Sequence, residues 1–98
     1  MKPDFAYRLD GEAITEDQVR VLTAFVRLEK QDQRSETWKG QFGVSNLMLA
    51  TTLPRQRLQV VFAQLDERGL IRPTMNTMYK LTTRGANHAL QLVAWEEE

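Results

Sequence analysis

A run rich in arginine and glutamine begins at residue 55 and has the spacing of one helix face. The apolar residues within it recur at i, i+3, i+4 and i+7, which predicts a helix with a buried stripe at Leu58, Val61, Phe62 and Leu65. The opposite face and its flanks then carry side chains able to contact base edges. Gln can bond adenine in two places, Arg can do so to guanine, and an aliphatic group can touch the thymine methyl. The candidate base-contacting residues are Arg55, Gln56, Arg57, Gln59 and Val60.

Other kinds of chemistry have few candidate residues in this sequence. The 98 residues include no cysteine and one histidine, His88, which excludes disulfides, thiolate zinc sites and cysteine nucleophiles. The sequence has no phosphate-binding glycine loop, metal-ligand spacing or nucleophile motif. We therefore expect a protein that is not an enzyme and that uses neither a metal nor a cofactor. We also expect a soluble, cytoplasmic protein, because no run approaches the roughly 20 apolar residues of a membrane span.

The charge is balanced overall but unevenly distributed along the chain. Thirteen basic and thirteen acidic residues give a net charge of zero, yet residues 33–95 carry 8 basic and 3 acidic groups. The acidic excess lies in residues 1–32 and in the terminal Glu96-Glu97-Glu98. This asymmetry permits a local positive face, which is weaker than the footprint of a strongly basic nucleic-acid-binding domain.

The elements that must position the candidate residues start near residue 15. Thr15 and Gln18 have capping-box spacing, which predicts that the first helix begins near Glu16. Residues 1–14 are predicted to be an N-terminal arm or a short strand, residues 15–95 a single domain, and residues 96–98 an acidic tail. Residues 31–43 are predicted to be a loop with a short strand near Trp38.

A pair of short helices follows from residue 44. Ser45 suits the N-cap of a helix of about two turns, which breaks at residues 51–53. Pro54 suits the first turn of the next helix because its missing N–H costs nothing there, and Gly69 suits the C′ position at its end. Two helices joined by a turn of three or four residues form the helix-turn-helix pattern.

A hairpin and a last helix complete the predicted order. Residues 70–74 and 77–81 are β-compatible segments around Met75-Asn76, and Pro73 confines its strand to a sheet edge. Thr82 or Thr83 can cap the last helix. Its predicted core positions are Ala86, Ala89, Leu90, Val93 and Ala94.

This order and two motifs resemble the winged helix-turn-helix domain of MarR-type and related bacterial regulators. The family pattern joins a recognition helix to a Leu-Glu-x-x-Gly-Leu segment, a wing and a Leu-Thr-x-x-Gly helix start. The matching pieces here are Leu-Asp-Glu-Arg-Gly-Leu-Ile at 65–71 and Leu-Thr-Thr-Arg-Gly at 81–85. The resemblance implies a mainly helical α+β fold with a C-terminal helix and a wing sheet of two or three antiparallel strands.

The same resemblance implies a function and a docking geometry. It implies a sequence-specific double-stranded DNA-binding protein, a dimeric transcriptional repressor that inserts helix 54–68 in the major groove. Val60 departs from the pattern, since related recognition helices often carry a polar or basic residue near that position. The candidate contacts to the DNA backbone are Thr51, Thr52, Arg72, Asn76 and Lys80.

A second apolar strip on the last helix raises the question of oligomeric state. His88, Leu92 and Trp95 lie opposite the predicted core positions of that helix. The strip either packs under Phe5, Tyr7 and Leu9 or forms a homodimer seam. We expect the seam, formed by Val21, Leu28, His88, Leu92 and Trp95. A two-fold dimer would recognise a palindromic operator with half-sites about one DNA turn apart.

A different class of function also fits the sequence. Winged helices serve as protein-interaction modules as well as DNA-binding domains, so fold and function are separate inferences. In this alternative, an adaptor or anti-regulator would present Val60, Ala63, Met75 and Met78 to a protein partner. The zero net charge favours the alternative, and the Arg- and Gln-rich helix start favours DNA.

Overall fold

The helices and strands follow the predicted order. The computed structural model describes residues 7–9, 12–33, 40–74 and 77–96. In chain order, the elements are β1 (Tyr7–Leu9), β2 (Glu12–Ile14), α1 (Glu16–Gln31), β3 (Gln41–Phe42), α2 (Val44–Thr51), α3 (Arg55–Glu67), β4 (Ile71–Pro73), β5 (Tyr79–Leu81) and α4 (Thr83–Glu96). Strands β1 and β2 pair antiparallel, so at these residues the structure shows the short-strand alternative for the N-terminal segment.

Helix α1 is the centre of the core. The Thr15 hydroxyl accepts a hydrogen bond from the Gln18 N–H, and the Gln18 side-chain oxygen accepts one from the Thr15 N–H, which confirms the predicted capping box. The helix is buried on several sides because the other three helices pack around it. Its buried apolar residues are Val19, Val21, Leu22, Ala24, Phe25 and Val26.

Helix α2 begins earlier than predicted. Its N-cap is Gly43 rather than Ser45, which is exposed one residue inside the helix. The buried Phe42 of β3 fixes the chain immediately before the helix, and the Gly43 N–H then donates to the Asn46 side-chain oxygen at 3.0 Å. The helix ends where Thr52 adopts a left-handed conformation with φ 61°.

Helix α3 has the predicted stripe and the predicted end. Leu58, Val61, Phe62 and Leu65 are all buried. Pro54 is the N-cap and not part of the first turn, since its backbone is extended and its carbonyl accepts from the Leu58 N–H. At the other end, Gly69 has φ +74°, its N–H donates to the Asp66 carbonyl, and the Leu70 N–H donates to the Leu65 carbonyl. These are the bonds of a Schellman motif, so the C′ prediction is confirmed.

The wing is a three-stranded antiparallel sheet in the order β3-β5-β4. Strand β4 lies at the edge, as predicted from Pro73. The ring of Tyr79 in β5 stacks on the ring of Phe62 in α3, with centroids 4.5 Å apart. This aromatic pair joins the wing to α3.

Helix α4 is rotated relative to the prediction. Its buried residues are Gly85, His88, Ala89, Leu92 and Val93, whereas the predicted core residues Leu90 and Ala94 are exposed. The cause is Gly85, whose Cα faces the Leu70 backbone so closely that an added Cβ would lie 1.7 Å from the Leu70 carbonyl oxygen. Because of this contact, the helix face that contains Gly85 packs against the core. The same face contains His88 and Ala89 one turn later and Leu92 and Val93 two turns later. Thr82 is the residue that caps the helix, since its hydroxyl accepts from the Gly85 N–H.

Candidate nucleic-acid interface

The solvent face of α3 carries all five candidate base-contacting residues. Arg55, Gln56, Arg57, Gln59 and Val60 are exposed, while the opposite face is buried in the core. Burial of four large side chains holds the backbone of α3, so the exposed side chains project from a fixed helix. The structure therefore brings the predicted residues together on one surface, which we call the α3 face.

The two arginines lie on different flanks of the α3 face. Arg57 lies beside α1, and its Nε and Nη2 both donate to Oδ2 of Asp17, at 3.1 and 2.5 Å. The side chain of Arg57 remains 59% exposed, and that of Asp17 is 24% exposed. Arg55 lies on the other flank, where it makes no ion pair with any residue that the structure describes.

A polar seam between α1 and α3 continues from this ion pair. The side-chain amide of the buried Gln18 donates to the Gln64 oxygen at 2.9 Å. Arg68 donates to the Gln18 oxygen at 3.1 Å and to the Ala13 carbonyl at 3.2 Å. Sequence reasoning missed these partners because they lie about 40 to 55 positions apart. One local signal was the acidic residue Asp17 in the first turn of α1. It did not indicate a partner in α3, because the helix dipole alone accounts for an acidic residue at that position.

The two threonines before α3 have different environments. Thr51 is buried, its hydroxyl donates to the Leu47 carbonyl, and it accepts from the Leu53 N–H. The prediction of a phosphate contact is therefore wrong for Thr51, because its side chain closes the turn between the helices. Thr52 is exposed, and its hydroxyl donates to the Thr51 carbonyl. The Thr52 hydroxyl oxygen can still accept hydrogen bonds. Because Thr52 is exposed in the turn before α3, it stays a candidate residue of the interface.

The wing brings its two predicted basic residues together. Arg72 and Lys80 are direct partners in the antiparallel register of β4 and β5, so their side chains share one sheet face. Arg72 is exposed and Lys80 is half-buried. Like charges placed opposite each other destabilise a sheet slightly, and a bound phosphate would relieve that repulsion. The predicted contact Asn76 lies outside the described residues.

Most of the predicted dimer seam lies inside the protomer. Val21 and Leu92 are 0% and 1% exposed and His88 is also buried, so the prediction is wrong for these three residues. The rotation of α4 placed His88 and Leu92 against the core. Leu28 is half-buried against the same core, and the side chain of Trp95 lies outside the described part. The large apolar side chains that are exposed among the described residues are Leu49, Val60 and Leu90.

The described residues include no group of three or more His, Cys, Asp or Glu side chains that could hold a metal ion. None of their helices is long and apolar enough to cross a membrane.

Two solved structures share this architecture. Ligand-free NadR superimposes with a TM-score of 0.62 at 20% identity, over 86% of this chain and 56% of that chain. A MarR family transcriptional regulator from Silicibacter pomeroyi gives a TM-score of 0.62 at 22% identity, over 81% of this chain and 53% of its own. This chain thus spans just over half the length of each. No protein-family model and no curated protein matches the sequence.

These likenesses define the class of the protein by its fold. The chain has a winged helix-turn-helix fold, with α2 and α3 as the helix pair and the β3-β5-β4 sheet as the wing. The fold is the one found in MarR-type regulators, and the predicted fold class is confirmed.

Proposed function

We propose that this protein binds double-stranded DNA sequence-specifically in the cytoplasm and acts as a dimeric transcriptional repressor, with α3 in the major groove. The observation that carries the proposal is the α3 face, where Arg and Gln side chains begin at the first helical residue and project from a buried scaffold. The likeness to a transcriptional regulator of the MarR family supports it.

The proposed base contacts follow from the chemistry of the side chains. Arg55 can bond a guanine edge through two N–H groups, and Gln56 and Gln59 can bond adenine through the amide oxygen and nitrogen. Val60, which is 57% exposed, supplies an apolar contact for a thymine methyl. Arg57 adds a second guanidinium on the α1 side of the same face.

The test of sequence specificity is selection from a randomised duplex pool with the purified protein. We expect an enriched sequence that the protein binds at least about a thousandfold more tightly than the starting pool. The enriched site should contain two inverted half-sites about one helical turn apart if the binding unit is a two-fold dimer. Equal affinity for the selected and starting duplexes would contradict sequence-specific binding.

Arg72 and Lys80 are proposed to contact phosphates, together with Thr52. Replacement of either basic residue by Ala should weaken binding to all duplexes alike, because a phosphate contact carries no base information. Each replacement should also reduce the slope of log K against log salt concentration by about 2, since the dimer loses one phosphate contact in each protomer. Anisotropy titrations at several salt concentrations measure both effects. A change in base preference without a change in slope would contradict the assignment.

A dimer would need a seam that does not depend on Val21, His88 and Leu92, which are buried in the protomer. Leu90 is 53% exposed on the outer side of α4 and borders a groove of about 390 Å³ that Val26, Leu81 and Ala86 also line. We expect light scattering to give the mass of a dimer for the native protein and of a folded monomer for Leu90→Glu. The matched control is Gln91→Glu, which adds a charge at the neighbouring exposed position. A native monomer would contradict the dimer, and an unchanged mass for Leu90→Glu would place the seam elsewhere.

A protein-interaction module remains the second candidate function. Leu49 is 85% exposed on α2, and Val60 and Ala63 are exposed on α3. Of the two wing methionines, Met78 is half-buried and Met75 lies outside the described residues. Solvated apolar side chains on both helices of the pair suit a protein partner better than a phosphate backbone. Failure to bind any duplex at low salt would favour this candidate.

A further inference from the structure

The ion pair between Asp17 and Arg57 joins the start of α1 to the start of α3. Two N–H groups of one guanidinium, on Nε and Nη2, donate to a single carboxylate oxygen. A guanidinium has five N–H donors, so two on Nη1 and one on Nη2 remain, and one from each of these nitrogens forms the terminal edge of the group, next to the edge that faces the carboxylate. That remaining pair of nitrogens has the fork geometry that matches O6 and N7 of guanine.

We propose that Asp17 is a specificity-determining residue, which positions the Arg57 guanidinium to read a guanine. The inference rests on the proposed function. Asp17 does not touch the base. It acts through Arg57. Without Asp17, the long Arg57 side chain would occupy many rotamers in the free protein and would lose that conformational entropy when DNA binds. Because the carboxylate already holds the guanidinium plane, less conformational entropy is lost on recognition of the correct base.

The charge of Asp17 provides a second, opposite effect. A carboxylate beside the α3 face repels phosphates and partly neutralises Arg57, so it weakens binding to every sequence. Positioning strengthens binding only to the sequence with guanine at the matching place. The proposal therefore predicts that loss of the carboxylate changes general affinity and base discrimination in opposite directions, which a purely structural contact would not do.

The test compares Asp17→Ala, which removes the acceptor of both Arg57 hydrogen bonds, with the matched control Glu16→Ala. Both replacements remove one negative charge from the first turn of α1, but Glu16 pairs with Arg20 of its own helix rather than with Arg57. Anisotropy measures affinity for the starting pool, for the selected duplex, and for duplexes with each guanine of the site replaced. Thermal unfolding of each variant confirms that it is folded.

We expect both variants to bind the starting pool as tightly as the native protein or more tightly. Asp17→Ala should lose about fivefold or more of the preference for one guanine, the lower end of what a bidentate pair contributes. Glu16→Ala should keep that preference. Arg57→Lys, which keeps the charge but lacks the fork, should lose the same preference, and adding Asp17→Ala to it should change the discrimination no further.

Three outcomes separate the inference from the proposed function. An unchanged guanine preference in Asp17→Ala overturns the inference while specific DNA binding stands. Tighter binding to pool and selected duplex by the same factor also overturns it and identifies Asp17 as an inhibitory contact. Absence of salt-dependent binding by the native protein removes the proposed function, and the inference fails with it.

Discussion

Gly85→Ala should lower the free energy of unfolding by about 3 kcal/mol or more, although glycine-to-alanine changes inside helices usually stabilise by about 1 kcal/mol. The sign is reversed because the new Cβ would lie 1.7 Å from the Leu70 carbonyl oxygen and 2.7 Å from its carbon. Leu70 cannot move away easily, since its N–H completes the end of α3 and its carbonyl accepts from the Thr82 N–H. Helix α4 would have to shift, and the packing of Ala89, Leu92 and Val93 would be lost.

The matched control for this change is Gly69→Ala. Gly69 has φ +74° but nothing lies within 4 Å of the position a Cβ would take, so only backbone strain opposes the replacement. That strain costs about 1–2 kcal/mol. Urea unfolding monitored by circular dichroism measures the free energy of unfolding of both variants. Equal losses at the two positions would contradict the claim that close approach of α4 to Leu70 sets the rotation of that helix.

Arg55→Glu should weaken binding to the selected duplex by more than about a hundredfold, about 3 kcal/mol of binding free energy. The change removes a guanine contact and places a carboxylate at the first residue of the helix that faces the DNA. Arg55 has no ion-pair partner among the described residues, so its replacement leaves no buried charge behind. The exposed position also means that the thermal midpoint should change little.

The control for Arg55→Glu is Arg84→Glu, which makes the same change of charge on α4, outside the candidate interface. Arg84 is exposed in the first turn of α4 and lines neither the α3 face nor the groove beside Leu90. Anisotropy at about 200 mM salt should show a much smaller effect than for Arg55→Glu, because a charge that makes no contact with the DNA acts only through a screened field. Similar losses for the two variants would show that net charge, and not the α3 face, controls binding.

Local signals in the sequence were sufficient for most of the fold. The capping box at Thr15, the stripe from Leu58 to Leu65 and the C′ glycine at Gly69 each depend on residues within one or two helical turns, and the structure confirms them. Pro73 likewise placed its strand at the sheet edge through a property of its own backbone. Such signals do not require knowledge of what packs against the element.

The misplaced features depend on contacts between distant segments. Both faces of α4 have apolar residues, and the choice between them was made by the approach of Gly85 to Leu70 from another element. Thr51 was assigned to the surface by residue type, although its hydroxyl bonds within the turn. The seam that links Asp17 and Gln18 to α3 has only two local signals, Asp17 in the first turn of α1 and Gln18 in the capping box, and neither one indicates a contact with α3. One of these contacts holds a side chain of the candidate interface, since Arg57 pairs with Asp17.

The most direct test of the central claim is fluorescence anisotropy of the protein with a labelled random duplex pool, first at about 50 mM and then at about 200 mM salt. If Arg72 and Lys80 of two protomers neutralise about four phosphates, counterion release predicts that the association constant falls about a hundredfold between these concentrations. Binding with that steep salt dependence would support α3 and the wing as a DNA-binding surface. No binding at the lower salt concentration, or binding that does not weaken with salt, would contradict it and favour a protein partner.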